Sequence, residues 1–140
     1  DLGPDGFPIG FTYTGHATAC AVAMANLDII EREGLVERAA SLGARMLEGL
    51  APLAGLPAVA DVRGAGLMLA VELRRDTAAG AEIGANASRA LRADHGMIVR
   101  AHESVLSISP PLVVEDADAD RIVDAFHDVI GRLDDGRVRR

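Results

Sequence analysis

The 140-residue chain is long enough for one domain with a real hydrophobic core, and its balance of apolar and charged residues is that of a globular protein. Its formal charge of −7, from 14 basic and 21 acidic residues, repels phosphate backbones and argues against nucleic acid as a partner. No apolar run approaches the ~20 residues of a membrane span, and all 14 basic residues are Arg, so a step that needs a side-chain amine cannot run on residues of this chain.

In chain order, residues 1–15 carry loop chemistry, with Gly3, Pro4, Gly6, Pro8, Gly10 and Gly15. Phe7, Phe11 and Tyr13 crowd into the same stretch, which marks it as a segment that another surface covers. A first helix is predicted over 17–32; it is rich in Ala, suits close packing on more than one side, and ends at Gly34. A second, over 35–53, places Leu35, Ala39, Leu42, Met46, Leu50 and Leu53 on one stripe until Gly55 and Pro57 stop it. Val59–Val62 and Leu67–Leu73 read as strands, with Arg63-Gly64-Ala65-Gly66 as a turn or bulge between them. A helix over 78–93 carries Ile83, Ala87 and Leu91, with Gly96 as its C-cap. Met97–Arg100 and Val105–Ile108 form a hairpin around Ala101-His102-Glu103-Ser104, closed by Pro110-Pro111. A last helix over 117–133 sets Ile122, Phe126, Ile130 and Leu133 on its apolar face, with Asp116, Asp118 and Asp120 favouring its N-terminus. The fold class is α+β. Residues 57–140 form a small antiparallel sheet covered by helices, and residues 1–56, with two helices, are an extension that leaves it.

Several motifs exclude chemistry. Leu69 stands where a dinucleotide loop beginning at Gly64 needs its third Gly, and no helix follows, so the segment is a tight turn or bulge. His16, His95, His102 and His127 show no paired ligand spacing, so no metal is expected. His95, in a last helical turn, is a favourable cation there, and His127 is expected to be partly exposed. No G-x-S-x-G elbow is present, and Ser107 and Ser109 read as structural strand residues. Cys20 is the only cysteine, which rules out an intramolecular disulfide and suits a reducing cytosol. The chain starts at Asp1 without Met, inside a loop, and reads as a piece of something longer.

Two segments leave alternatives open. Thr12-Tyr13-Thr14-Gly15 precedes a helix, where hydroxyls and N–H groups make an anion site; the simpler reading is that Thr14 caps the helix. Arg100 ends a strand beside a hairpin turn, as solvated surface or as a bidentate partner for a carboxylate.

The order and wording of three segments add to this. Gly10-Phe-Thr-Tyr-Thr-Gly-His16, running into Ala25-Asn-Leu-Asp-Ile-Ile-Glu-Arg-Glu-Gly-Leu35, resembles the subunit-interface segment of class III aminotransferases. Asp61-Val-Arg-Gly-Ala-Gly-Leu-Met68 with Val71-Glu-Leu73 resembles the opening strands of that family's small domain, and Gly96-Met-Ile-Val-Arg100 with Ser109-Pro-Pro-Leu112 resembles its closing hairpin. The resemblance runs from about residue 6 to 133.

That resemblance implies the C-terminal region of a fold-type-I, pyridoxal 5'-phosphate-dependent aminotransferase, cytoplasmic and homodimeric through the interface loop and first helix. Residues 1–56 would end the large domain and residues 57–140 would form the small domain. Thr12 would reach the phosphate of the neighbour's cofactor, with Phe11 shaping the same rim. Arg100 would pair with a substrate carboxylate, as in the omega-transaminase branch, while Ser107 stands where ornithine- and GABA-type members often carry an Arg. Ile9-Gly10 replaces the usual His-Gly, and Ala17 replaces a usual Pro. No catalytic residue is assigned here, since the Schiff-base lysine, the Asp on the ring nitrogen and the main phosphate loop all belong to the large domain. The whole enzyme would transfer an amino group from an amine or amino acid to a keto acid such as pyruvate, and this fragment alone would be inactive. Alternatives are a stand-alone interaction or regulatory domain of the same descent, or an aminomutase or decarboxylase on the same scaffold.

Overall fold

A computed structural model describes residues 10–75 and 82–134. The chain divides into two compact units, Asp1–Gly34 and Leu35–Arg140. Residues 1–9 of the loop expected over 1–15 and the first residues of the helix expected over 78–93 lie outside the described residues.

The first unit holds a turned loop and helix α1, Ala17–Arg32. Its run of Ala favours helix at every position, and Gly34 ends it with a φ of +58° that costs a residue without Cβ nothing. No residue of α1 is buried within this chain.

The second unit begins with α2 (Leu35–Leu50), which shares the core of the sheet. Its stripe of Leu42, Met46 and Leu50 packs with Leu53 of the following 3-10 turn, Ala51–Gly55. Strands β1 (Val59–Ala65) and β2 (Met68–Leu73) follow, then α3 (Ile83–His95), β3 (Arg100–His102), β4 (Val105–Ile108) and α4 (Asp116–Asp134). The sheet is antiparallel throughout, in the order β1-β2-β4-β3. Alternation along the strands sends Leu69, Val71, Leu73, Leu106 and Ile108 into one core with Leu91, Phe126 and Ile130 of the helices. Residues of the other parity face away from it and are half-buried or exposed.

Close contacts fix the helices. A Cβ on Gly43 of α2 would collide with the backbone of Gly66 at the β1–β2 turn, and one on Gly84 of α3 would collide with the carbonyl of Glu103 at the β3–β4 turn. The start of α4 is tied to α2. Arg38 donates to the Val114 carbonyl at 2.6 Å and to Asp116 at 2.8 Å, and Arg45 reaches Asp120 at 3.2 Å. His127 donates from Nε2 to the Gly49 carbonyl at 2.8 Å, so that nitrogen carries a proton. Between α3 and α4, Arg132 bridges Asp94 and Asp128, and His95 meets Asp128 at 2.8 Å. The Asp94 hydrogen bond is the largest cause raising the Arg132 pKa, against a smaller lowering by burial.

Two local expectations change. Arg63, Gly64 and Ala65 continue β1 in pairing with Ala70, Leu69 and Met68, and the turn is only Gly66-Leu67, with Gly66 at φ +53°. The first hairpin strand begins at Arg100, where it was expected to end. The preceding residues are claimed by α3 instead. After the left-handed Gly96, the Met97 N–H donates to the Leu91 carbonyl, and the Val99 carbonyl accepts from Ser88 Oγ at 3.0 Å.

Candidate functional site

In the first unit, residues 11–16 fold into successive turns. The Thr14 N–H donates to the Phe11 carbonyl at 2.9 Å, the Phe11 N–H donates to Thr14 Oγ1 at 2.8 Å, and the His16 N–H donates to the Tyr13 carbonyl at 3.1 Å. Thr14 therefore does not cap α1, because its hydroxyl is engaged three residues back. His16 is the cap, with Nδ1 accepting from the Ala19 N–H at 3.2 Å and its ring edge-on to Tyr13. This wiring leaves Thr12 on the turn's crest. Among the described residues, neither its hydroxyl nor its N–H has a partner. Phe11, beside it, is 76% exposed.

In the second unit, the register lays out rows across the sheet face that the helices leave open. One row reads Arg63–Ala70–Ser107–Arg100, and the next reads Asp61–Glu72–Val105–His102. Arg63 is neutralised where it stands, by Asp61 at 2.8 Å and Glu72 at 2.7 Å. Those two hydrogen bonds, Asp61 first, raise its pKa against a smaller lowering by desolvation. Arg100 differs: among the described residues its guanidinium has neither an ion pair nor a hydrogen bond. Arg75 pairs with Glu103 at the hairpin's far end, beside a shallow open cleft of about 480 Å³ with Glu72, Arg74 and His102 on its rim.

Phe11 and Thr12 thus share one turn of the first unit, and Arg100 sits on the open sheet face of the second. The cross-strand pairing of Arg100 with Ser107 is not evident from the sequence, in which Ser107 reads as a structural strand residue. Alternation along two short strands was the available signal, but it needed the register, and the shift of β3 by three residues hid it. Among the described residues no group of three His, Cys, Asp or Glu is placed to hold a metal ion, and no helix is long and apolar enough to cross a membrane.

The family model described as aminotransferase class-III matches residues 4–130, through both of these segments. The chain belongs to the class-III aminotransferase family. A diaminobutyrate–2-oxoglutarate transaminase of Halomonas elongata is 37% identical over 148 residues, spanning 99% of this chain and 31% of that protein. An omega-aminotransferase of Caulobacter vibrioides is 32% identical over 130 residues, spanning 89% and 28%. The solved structure of an (S)-enantioselective omega-transaminase from Thermomicrobium roseum superposes with a TM-score of 0.78 at 39% identity, covering 91% of this chain and 30% of that one. The class-III chain therefore spans about a third of the length of its relatives. Its α+β architecture is the one that the resemblance implied.

Proposed function

We propose that this class-III chain is the C-terminal part of a cytoplasmic, homodimeric aminotransferase that moves an amino group from an amine or amino acid to a keto acid such as pyruvate. The observation that supports this most strongly is the family match, which runs through the Thr12 turn and the Arg100 hairpin and covers almost all of the chain. In this reading residues 1–34 come from the end of the large domain, and α2 belongs with the small domain whose core it shares.

The residues present fit one end of pyridoxal 5'-phosphate. The exposed Thr12 offers a hydroxyl and an N–H, uncharged donors suited to a dianionic phosphate. The other end needs a lysine, which this sequence does not contain, so that group comes from elsewhere in the whole protein. When bound, the cofactor supplies an electron-withdrawing ring that stabilises negative charge at the substrate's amine-bearing carbon. Thr12 holds the phosphate of the neighbouring protomer's cofactor, and Phe11 shapes the rim beside it. Arg100, free of any counter-ion on its own sheet, presents its planar fork to both oxygens of a substrate carboxylate. For an uncharged amine the same long side chain swings away.

The test is amino transfer by the full-length, cofactor-loaded protein, with alanine and 1-phenylethylamine as donors and pyruvate and 2-oxoglutarate as acceptors. Transfer from at least one donor is expected. Absence of transfer from a panel of amines and amino acids, with cofactor retained, would overturn the reading.

A further inference from the structure

Residues 10–29 are all exposed within this chain, so burial does not hold the turn that carries Thr12. Its shape rests on local hydrogen bonds. One pair joins Phe11 to Thr14, and the rest converge on His16. The His16 N–H donates to the Tyr13 carbonyl at 3.1 Å, and the His16 carbonyl accepts from the Cys20 N–H at 3.0 Å. Its ring accepts from the Ala19 N–H at 3.2 Å through Nδ1 and stands edge-on to Tyr13, with ring centroids 6.3 Å apart. His16 therefore ties the turn on one side to the first turn of α1 on the other, while the backbone between them passes through Gly15 at φ +77°.

Thr14 is the competing cap. It stands two residues earlier, and a Thr hydroxyl is a favoured partner for the free N–H groups of a helix start. If that hydroxyl turned to α1, the Phe11 N–H would lose its acceptor and the turn beneath Thr12 would open. A ring nitrogen already seated on Ala19 removes the competition. We infer that His16 is a positioning residue for the cofactor phosphate: by capping α1 itself, it leaves Thr14 to brace the turn and Thr12 free to donate. The inference rests on the reading of Thr12 given above. His16 acts through Thr12 and does not touch the cofactor.

The experiment titrates the full-length apo protein with pyridoxal 5'-phosphate and compares the parent with His16→Ala, His16→Asn, Thr12→Ala and the double variant Thr12→Ala with His16→Ala. His16→Ala should weaken cofactor binding about fivefold, the scale of one lost helix cap. His16→Asn should stay within about twofold of the parent, because its side-chain oxygen also caps a helix well. In the Thr12→Ala background, His16→Ala should cost nothing further, since nothing remains there to position. Parent affinity in His16→Ala, with loss in Thr12→Ala, would overturn the positioning role and leave the Thr12 reading standing. Parent affinity in Thr12→Ala would overturn both. A loss in His16→Asn equal to that in His16→Ala would show that the cap is not the cause, and the same His16→Ala loss with and without Thr12 would make His16 a structural helix cap only. Either result overturns the inference.

Discussion

Gly84, in the first turn of α3, lies directly against the backbone carbonyl of Glu103, the non-glycine residue that turns the β3–β4 hairpin with a φ of +53°. The helix and the hairpin that carries Arg100 are locked where only a hydrogen fits. Gly84→Ala must push the turn away, and overpacking of this kind costs about 1–3 kcal/mol. Gly131 provides the control, because it lies within α4 with nothing near its missing Cβ. Gly131→Ala should stabilise by about 0.5–1 kcal/mol through helix propensity alone. Thermal unfolding of the two variants should move in opposite directions, and a shift of the same sign in both would show that the Gly84 contact is slack.

Much of the second unit was legible because its chemistry is local. The stripe of Leu42, Met46 and Leu50 sets α2, and Gly96 ends α3 in the left-handed conformation that a glycine there implies. The errors share one cause, a backbone group claimed by a partner that the linear pattern does not show. Met97 to Val99 are apolar enough for a strand, yet two of their backbone groups bond to α3. Thr14 looks like a helix cap, yet its hydroxyl bonds backward to Phe11 and leaves the cap to His16. Gly64 suggests a turn, yet it pairs within β1 opposite Leu69. Thr12 and Arg100 are candidates on motif wording alone, whereas the neighbours of Arg100 depend on a register that emerges only when three strands assemble.

The isolated 140-residue chain should form no covalent side-chain adduct with pyridoxal 5'-phosphate, because it contains no lysine. Borohydride reduction followed by peptide mass mapping checks this. Label on the N-terminal amine is compatible with the expectation, and label on any side chain contradicts it. Amino transfer by the isolated chain should likewise stay at background.

In the full-length enzyme, Thr12→Ala should weaken cofactor retention more than it alters substrate choice. One hydrogen bond to a charged group contributes about 1.5–3 kcal/mol, which is roughly ten- to a hundredfold in affinity. Titration of the apo enzyme with cofactor measures the loss, and Thr12→Ser should recover most of it. Unchanged affinity in Thr12→Ala would leave Thr12 as a turn residue only.

Because positions 100 and 107 face each other, a guanidinium moved from one to the other should reach part of the same space. Arg100→Ala combined with Ser107→Arg should therefore bind propionate better than Arg100→Ala alone. The recovery should be incomplete, since the side chain now starts one strand over, about 5 Å away. No recovery at all, in a variant that unfolds at the parent temperature, would mean that the carboxylate lies beyond reach of position 107.

Arg100 itself separates the functional reading from the bland one. Arg63, at the other end of the same row, is already paired with two carboxylates, while Arg100 has no counter-ion among the described residues. A strand-end arginine with only solvent to bind would contribute little, and its removal would leave both half-reactions alone. If it holds the substrate carboxylate, Arg100→Ala should lower kcat/KM for pyruvate and alanine by one to two orders of magnitude, roughly the loss of one charge-assisted pair. The half-reaction with 1-phenylethylamine should be spared, because that donor has no carboxylate to lose. Arg100→Lys should restore only part of the activity, since an ammonium keeps the charge without the planar fork. Single-turnover rates with each substrate decide the matter. Loss confined to the carboxylate substrates supports the assignment, equal loss for both makes Arg100 structural, and no loss makes it surface.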